Sequence, residues 1–92
     1  MIDLNKKTYL EINNDLAARI VRIRKRRKIT QQELARKSGV SYGSIRRFET
    51  DGEISLSSLT KLAIALHIDG ELDKLFSQVP FESIEEMIRE QS

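Results

Sequence analysis

The chain has 92 residues, a formal net charge of +2 and no cysteine, so it fits one small domain without disulfides or thiolate metal sites. Its single histidine, His67, excludes a histidine metal cluster, and the sequence predicts neither a metal nor a cofactor. No apolar run approaches the roughly 20 residues that span a bilayer, and no secretion signal follows Met1, which predicts a cytoplasmic protein without a membrane anchor.

The charge is unevenly divided along the chain. Residues 1–52 carry a net charge of +7, whereas residues 53–92 carry −5. The densest basic stretch is RIVRIRKRRK at residues 19–28, with seven cations in ten positions. The basic half predicts a polyanionic partner such as nucleic acid. The acidic half predicts a different surface, used for self-association or for a basic protein partner.

The amino-terminal residues predict one helix and leave its beginning open. Residues 1–13 fit a disordered arm, an extension of helix one, or a dimer-swapped strand, for which TYLEI at 8–12 gives a weak hint. The helix itself is predicted by an apolar stripe at positions i, i+4 and i+7, with an asparagine as its amino-terminal cap. The stripe consists of Leu16, Ile20 and Ile23, and the cap is Asn13 or Asn14.

Two short helices follow, joined by a tight turn. TQQE at residues 30–33 is a capping box in which the Thr30 hydroxyl accepts the backbone amide three residues on, and helix two ends at Gly39. Ser41 caps helix three only two residues later, and Gly52 lies just beyond its end. The inner positions are Leu34, Ala35 and Ser38 in helix two, and Ile45 and Phe48 in helix three.

Two further helices and a tail complete an all-α prediction. Ser55 caps helix four, and Asp69 precedes helix five. A second capping box, SIEE at residues 83–86, predicts a tail helix. The residues expected to face inward are Leu56, Leu59, Leu62, Ala63 and Leu66 in helix four, and Leu72, Leu75 and Phe76 in helix five.

A resemblance to the phage-repressor-like family, the Cro/cI or XRE type of DNA-binding domain, is carried by TQQELARKSGVSYGSIRRFE at residues 30–49. The shared pattern is Gln-Glu-Leu-Ala in helix two, Ser-Gly-Val at the turn, Ile and Phe-Glu in helix three, and Leu-x-x-Leu-Ala-x-Ala-Leu in helix four. The resemblance implies a five-helix, lambda-repressor-like domain. We expect this domain at residues 14–78, an arm or extension at 1–13, and a tail for dimer or partner contact at 79–92.

The resemblance implies that helix three lies in the major groove of double-stranded DNA and that helix two crosses the phosphate backbone. Independently, the helical period directs Gly43 and Arg47 away from the inner residues, with Arg46 at the flank. Arg47 is the best candidate base reader, because arginine can contact guanine through two hydrogen bonds. Tyr42 also fits a packing role. The predicted base or groove contacts are Gln31, Ser41, Tyr42, Gly43, Arg46 and Arg47, and the predicted phosphate contacts are Lys28, Thr30 and Thr50.

Three other features follow from comparison with the family pattern. Arg24 matches a position whose arginine pairs with the helix-three glutamate, here Glu49, which implies a partly buried ion pair. His67 stands where the family usually has glycine, and we expect it to adopt a left-handed cap after helix four. The loop TDGEIS departs from the pattern, because Asp51 and Glu53 replace phosphate-binding residues. Either basic residues elsewhere compensate, or DNA binding depends on dimerisation.

The tail predicts either an extra helix that caps the domain or a contact surface. The segment LDKLFSQVPFESIEEM also resembles the region after the DNA-binding domain of HipB-like antitoxins, which repress their own operon and bind a HipA-like kinase toxin. The predicted contact residues form an apolar stripe of Phe81, Ile84, Met87 and Ile88.

Two functions remain once an enzyme is excluded, since the chain has no phosphate-binding glycine loop, no nucleophilic cysteine and no suitably placed carboxylate pair. In the first, a homodimeric repressor reads a pseudo-palindromic operator with two recognition helices about 34 Å apart. In the second, the protein is mainly an interaction module that binds a toxin, and DNA binding is secondary. Both hold together in an autoregulating antitoxin.

Overall fold

Six α-helices make up the secondary structure of the residues that the computed structural model describes, which are 6–78 and 84–91, and these residues contain no strand. The helices are α1 Tyr9–Arg26, α2 Gln31–Ser38, α3 Tyr42–Asp51, α4 Leu56–Ala65, α5 Asp69–Lys74 and α6 Ile84–Gln91. α1 packs against α3, α2 packs against both α3 and α4, and α4 packs against α5. The predicted all-α fold is confirmed.

The first four helices, α1 through α4, share one apolar core. Its largest fully buried side chains are Phe48, Leu34, Ile45, Leu62 and Leu66. Burying a side chain of this size contributes about 1.5–3 kcal/mol relative to leaving it in water. Because Ile45 and Phe48 both belong to this core, as predicted, the opposite side of α3 faces solvent.

The boundaries of α2 and α3 coincide with the predicted capping residues. The Glu33 amide donates to the Thr30 hydroxyl at 3.1 Å, and the Thr30 amide donates to the Glu33 carboxylate at 3.4 Å. α2 then ends at Gly39, which has a left-handed φ of 77°. The Ser41 hydroxyl caps α3, and Gly52 ends it with the same φ of 77°. These local signals fix the tight turn between the two helices.

The beginning of α1 differs from the prediction. Thr8 is the cap, since its hydroxyl accepts a backbone amide of the first turn at 3.2 Å, and the weakly strand-like TYLEI is helical from Tyr9 onward. The prediction of Asn13 or Asn14 as cap was wrong, because the helix begins about one turn earlier. Asn13 instead lies against Gly52, where an added Cβ would come within 3.0 Å of the Asn13 Cβ.

The inner face of α1 is rotated from the predicted stripe. Ala17, Ile20 and Arg24 are buried, whereas Leu16 is 36% exposed. The prediction for Leu16 was wrong because it took only apolar residues as inward. Arg24 points inward despite its charge, since it pairs with Glu49 of α3, and this turns the buried face toward Ala17.

Three residues predicted to be buried in α4 and α5 are exposed. Leu56 lies in the first turn of α4 and remains 74% exposed, because none of the described elements covers it. α5 ends at Lys74, and the backbone becomes extended at Leu75 and left-handed at Phe76, which has a φ of 59°. Both residues therefore leave the helical register and are 55% and 84% exposed.

Besides Phe76, two further described residues other than glycine adopt the left-handed region just after a helix. Lys28 follows α1 with a φ of 57°, and His67 follows α4 with a φ of 60°. After α4, the His67 amide donates to the Ile64 carbonyl at 3.1 Å and the Ile68 amide donates to the Ala63 carbonyl at 2.9 Å. This pattern is a Schellman motif. The left-handed cap predicted at His67 is confirmed, and the equivalent role of Lys28 was not predicted.

Candidate nucleic-acid interface

The exposed side of α3 lies opposite its buried residues and carries Gly43, Arg46, Arg47 and Thr50. The Arg47 side chain retains 70% of its accessible surface. A small residue in the first turn is thus followed by two cations on the same solvent-facing side. An α-helix with such a face has the width that the major groove of DNA admits, and arginine is the side chain that most often reads guanine there.

The two arginines occupy adjacent positions on the exposed side of α3, about 100° apart around the helix axis, and each has a partner one turn away. The Arg46 guanidinium lies over the Tyr42 ring, 5.7 Å from its centre. The Arg47 Nε lies 3.9 Å from an Asp51 carboxylate oxygen. Tyr42 is 39% exposed, and the contact of its ring with the Arg46 guanidinium is a cation–π interaction. The cationic groups therefore have preferred directions before any partner binds.

Gly43 has no packing reason to be glycine. It lies in the first turn of α3, and a Cβ built there meets no other atom within 4 Å. Glycine within a helix is destabilising by roughly 0.5–1 kcal/mol relative to alanine. The domain itself therefore leaves space for a side chain at this position.

The serine hydroxyls at the start of α3 have different roles. The Ser44 amide donates to the Ser41 hydroxyl at 3.1 Å, and the Ser41 hydroxyl donates to the Ser44 oxygen at 2.7 Å. Ser41 is thereby occupied by capping. Ser44 borders a cavity of about 330 Å³ that also contacts Arg47. Ser44 was not among the predicted DNA contacts. Its bond to the capping serine could have been predicted, because it lies three residues after Ser41.

Arg24, Glu49 and Gln31 form a network that joins the first three helices. Arg24 donates two hydrogen bonds to the Glu49 carboxylate, each 2.8 Å long, and a third to the Ile29 carbonyl at 2.9 Å. The Gln31 side-chain amide donates to the same carboxylate at 2.9 Å. Arg24 and Glu49 side chains are each only 9% exposed. The network therefore holds α3 against α1 and places Gln31 beside α3.

The three predicted phosphate contacts differ in their free hydrogen-bonding groups. The Thr50 hydroxyl donates to the Arg46 carbonyl at 2.8 Å, so its hydrogen is already used within α3. The Thr30 hydroxyl serves as the α2 cap while remaining exposed, and Lys28 is exposed at the turn between α1 and α2. Of the three, the Lys28 ammonium is the group best suited to a phosphate.

A further ion pair lies near the start of α1. Lys7 donates a hydrogen bond to the Asp15 carboxylate. This bond and the positive charge of Lys7 lower the pKa of Asp15, and Arg19 adds a smaller effect in the same direction. The charge of Lys7 is therefore directed at Asp15.

The tail is only partly described. α6 is helical from Ile84 to Gln91, as the second capping box predicted. Phe81 lies outside the described residues, and the side chains of Ile84 and Met87 are likewise not described. Ile88 is 58% exposed. The predicted contact role of these four residues stays a prediction.

A family model described as helix-turn-helix matches residues 20–72, which is more than half of the chain. The chain belongs to the helix-turn-helix family. The matched range runs from within α1 into α5 and contains the whole α2–α3 unit. Comparisons with curated proteins and with solved structures gave no match. Family membership and the exposed cationic face of α3 together support a DNA-binding regulator.

None of the helices in residues 6–78 and 84–91 has both the length and the apolar character needed to cross a bilayer. Within the same residues, no three histidine, aspartate or glutamate side chains come together as a metal ion would require.

Proposed function

We propose that the protein is a transcriptional repressor that binds a pseudo-palindromic operator as a homodimer in the cytoplasm. The observation that supports this best is the exposed face of α3. On this face Gly43 has no side chain although the domain leaves space for one, and Arg46 and Arg47 each contact a neighbouring side chain of the same helix. On this proposal Arg47 reads a base edge, and Arg46 binds at the flank of the groove with Tyr42. The phage-repressor-like pattern of the sequence supports the same orientation of α3.

We place the remaining DNA contacts at the network of Arg24, Glu49 and Gln31 and at the turn before α2. Gln31 lies at the start of α2 and is held by Glu49, so its amide is fixed beside α3 and close to the backbone that α2 would cross. Ser41 and Thr30 would position the helix ends, and Lys28 would bind a phosphate. Thr50 would contribute through its exposed surface rather than through its hydroxyl hydrogen.

Homodimerisation would raise the affinity of the protein for DNA. Asp51 at the end of α3 and Glu53 in the loop after it repel phosphates, so a single domain would bind DNA weakly. Two copies on one DNA molecule would combine their contacts, with the α3 helices about 34 Å apart on the same side of the duplex.

A second candidate function is favoured by one observation, the exposed apolar residues after α5. Leu75 and Phe76 are 55% and 84% exposed, and they lie within the segment that resembles HipB-like antitoxins. Exposed apolar groups of this size are typical of protein contact sites. We propose that this segment, with Phe81, Ile84, Met87 and Ile88, contacts either the second copy or a HipA-like kinase toxin.

The proposed repressor can be tested by selecting bound fragments from a random pool of DNA duplexes and measuring the mass of the complex in solution. We expect an enriched motif with two related half-sites and a mass of two chains per duplex. Weak binding that is independent of sequence at moderate salt would contradict the proposal. Truncation after Gln78 separates the second function, because it removes α6 and should impair dimer or partner binding while the remaining domain keeps the fold of α1 to α5.

A further inference from the structure

We propose that Asp51 is a specificity-determining residue that aligns Arg47 for base reading. The inference rests on the proposed DNA-binding role of α3. It gives a function to an acidic residue that the sequence alone predicts only as an obstacle to DNA binding. The observations that carry it lie at the carboxyl-terminal end of α3.

Both oxygens of the Asp51 carboxylate have a partner. Oδ1 accepts the Glu53 amide at 3.1 Å, across the left-handed turn at Gly52. Oδ2 lies 3.9 Å from the Arg47 Nε, one helical turn back. Because the backbone bond holds the carboxylate in place, Asp51 offers Arg47 a fixed negative charge. Both side chains remain more than half exposed, so the pair lies on the surface that would face DNA.

The stability of α3 does not explain why this residue is charged. A negative charge at the carboxyl-terminal end of a helix opposes the helix dipole, and α3 has no basic residue in its last turn. An acid four residues after a base is also the less favourable order for a helical ion pair. The turn would accept asparagine equally well, because asparagine provides the same acceptor for the Glu53 amide. The charge of Asp51 therefore acts on Arg47.

The pairing leaves Arg47 well prepared for guanine. At 3.9 Å the Arg47 Nε and the Asp51 carboxylate attract each other as charges without a direct hydrogen bond, so the N–H donors on both terminal nitrogens stay available for the guanine O6 and N7. A side chain that already has a preferred direction loses less entropy when it binds. The nearby carboxylate also repels phosphates, which disfavours non-specific contact with the backbone. Asp51 should therefore weaken all DNA binding slightly and non-specific binding most.

The experiment compares Asp51→Asn with a matched control, Glu53→Gln. Both variants remove one negative charge from the same loop, but Glu53 has no ion-pair partner among the described residues. For each variant we would measure the Kd of the duplex enriched by wild-type protein and of a scrambled duplex of equal length, at one salt concentration. We expect both variants to bind the scrambled duplex more tightly. Only Asp51→Asn should reduce the ratio of the scrambled-duplex Kd to the enriched-duplex Kd. The expected reduction is about threefold, the size typical of an exposed ion pair.

The same two substitutions in an Arg47→Ala background complete the test. Without Arg47, Asp51→Asn should change the ratio no more than Glu53→Gln does. The inference is overturned if both variants reduce the ratio equally in the wild-type background, or if Asp51→Asn keeps its full effect without Arg47. A wild-type protein that binds both duplexes equally would overturn the proposed function itself. A wild-type preference that Asp51→Asn leaves intact would overturn only the role of Asp51.

Discussion

The helix-turn-helix unit at residues 30–52 and the region at 53–78 place their large apolar side chains differently. In the unit, all of the large aliphatic residues and Phe48 are buried, with at most 5% of their surface exposed. In the second region, some are equally buried, but others are more than half exposed. The buried group of the second region is Leu62 and Leu66, and the exposed group is Leu56, Ile64, Leu75 and Phe76.

This difference separates two kinds of surface. The unit uses its large aliphatic residues and Phe48 for the core, so apart from the ring of Tyr42 the surface left over is polar and cationic and is suited to DNA. The second region keeps apolar groups in water, and such groups are suited to another protein surface. The net charges of the two halves of the chain agree with this division, since the half that contains the unit is basic and the other is acidic.

The largest expected effect tests the difference in burial between Phe48 and Phe76. Phe48→Ala removes a side chain that is only 1% exposed, and we expect a loss of about 3–5 kcal/mol in the free energy of unfolding. Phe76→Ala removes one that is 84% exposed, and should change stability by less than about 0.5 kcal/mol. Urea unfolding followed by circular dichroism measures both. Equal losses would show that Phe76 is packed in solution and that the two regions do not differ.

The next effect concerns the ion pair that joins the unit to α1. Glu49→Ala leaves Arg24 buried without its partner, and we expect a loss of about 3 kcal/mol in unfolding free energy. The control is the double variant Arg24→Met with Glu49→Leu, which removes both charges and should recover much of that loss. Unchanged stability and DNA affinity in Glu49→Ala would show that the pair has no structural role.

Part of this architecture could be predicted from local signals. The caps at Thr30, Gly39, Ser41 and Gly52 were predictable because each depends on the residue type at one position and on backbone atoms within four residues. The exposure of Leu56 was not predictable in the same way, because the helical period defines a face of the helix without showing whether another element covers it.

Other features required knowledge beyond the local pattern. The pairing of Arg24 with Glu49 joins residues far apart in sequence, and only the resemblance to a known family implied it. The end of α5 at Lys74 removed Leu75 and Phe76 from the predicted face, and no glycine or proline beside them marks that end. The spacing of Arg47 and Asp51 one helical turn apart was readable from the sequence, but the bond from the Glu53 amide that holds the Asp51 carboxylate became visible only from the geometry of the turn.

A smaller effect separates folding from recognition at Gly43. Gly43→Ala should stabilise the domain by about 0.5 kcal/mol, because alanine favours the helix and a Cβ has space there. The same substitution should weaken DNA binding, and Gly43→Leu should weaken it further. Gly70→Ala in α5 is the matched control, since it also has open space but lies on another helix. Equal DNA affinity in the Gly43 and Gly70 variants would contradict a close approach of DNA to Gly43.

The smallest expected effect concerns the end of α4 in the second region. His67 has a φ of 60°, which glycine adopts without strain, so His67→Gly should raise the unfolding free energy by about 0.5 kcal/mol after the entropy of the unfolded chain is included. Thermal unfolding provides the measurement. A lower stability would mean that the imidazole makes a contact whose loss outweighs the relief of backbone strain.

The central claim is that the exposed face of α3 reads DNA sequence, and Arg47 tests it most directly. Wild-type protein and Arg47→Ala would each select fragments from the same random pool of duplexes, and the enriched motifs would be compared position by position. We predict that Arg47→Ala loses a guanine preference at one position in each half-site, equivalent to about 1–3 kcal/mol of discrimination. Identical motifs from the two proteins would contradict the account.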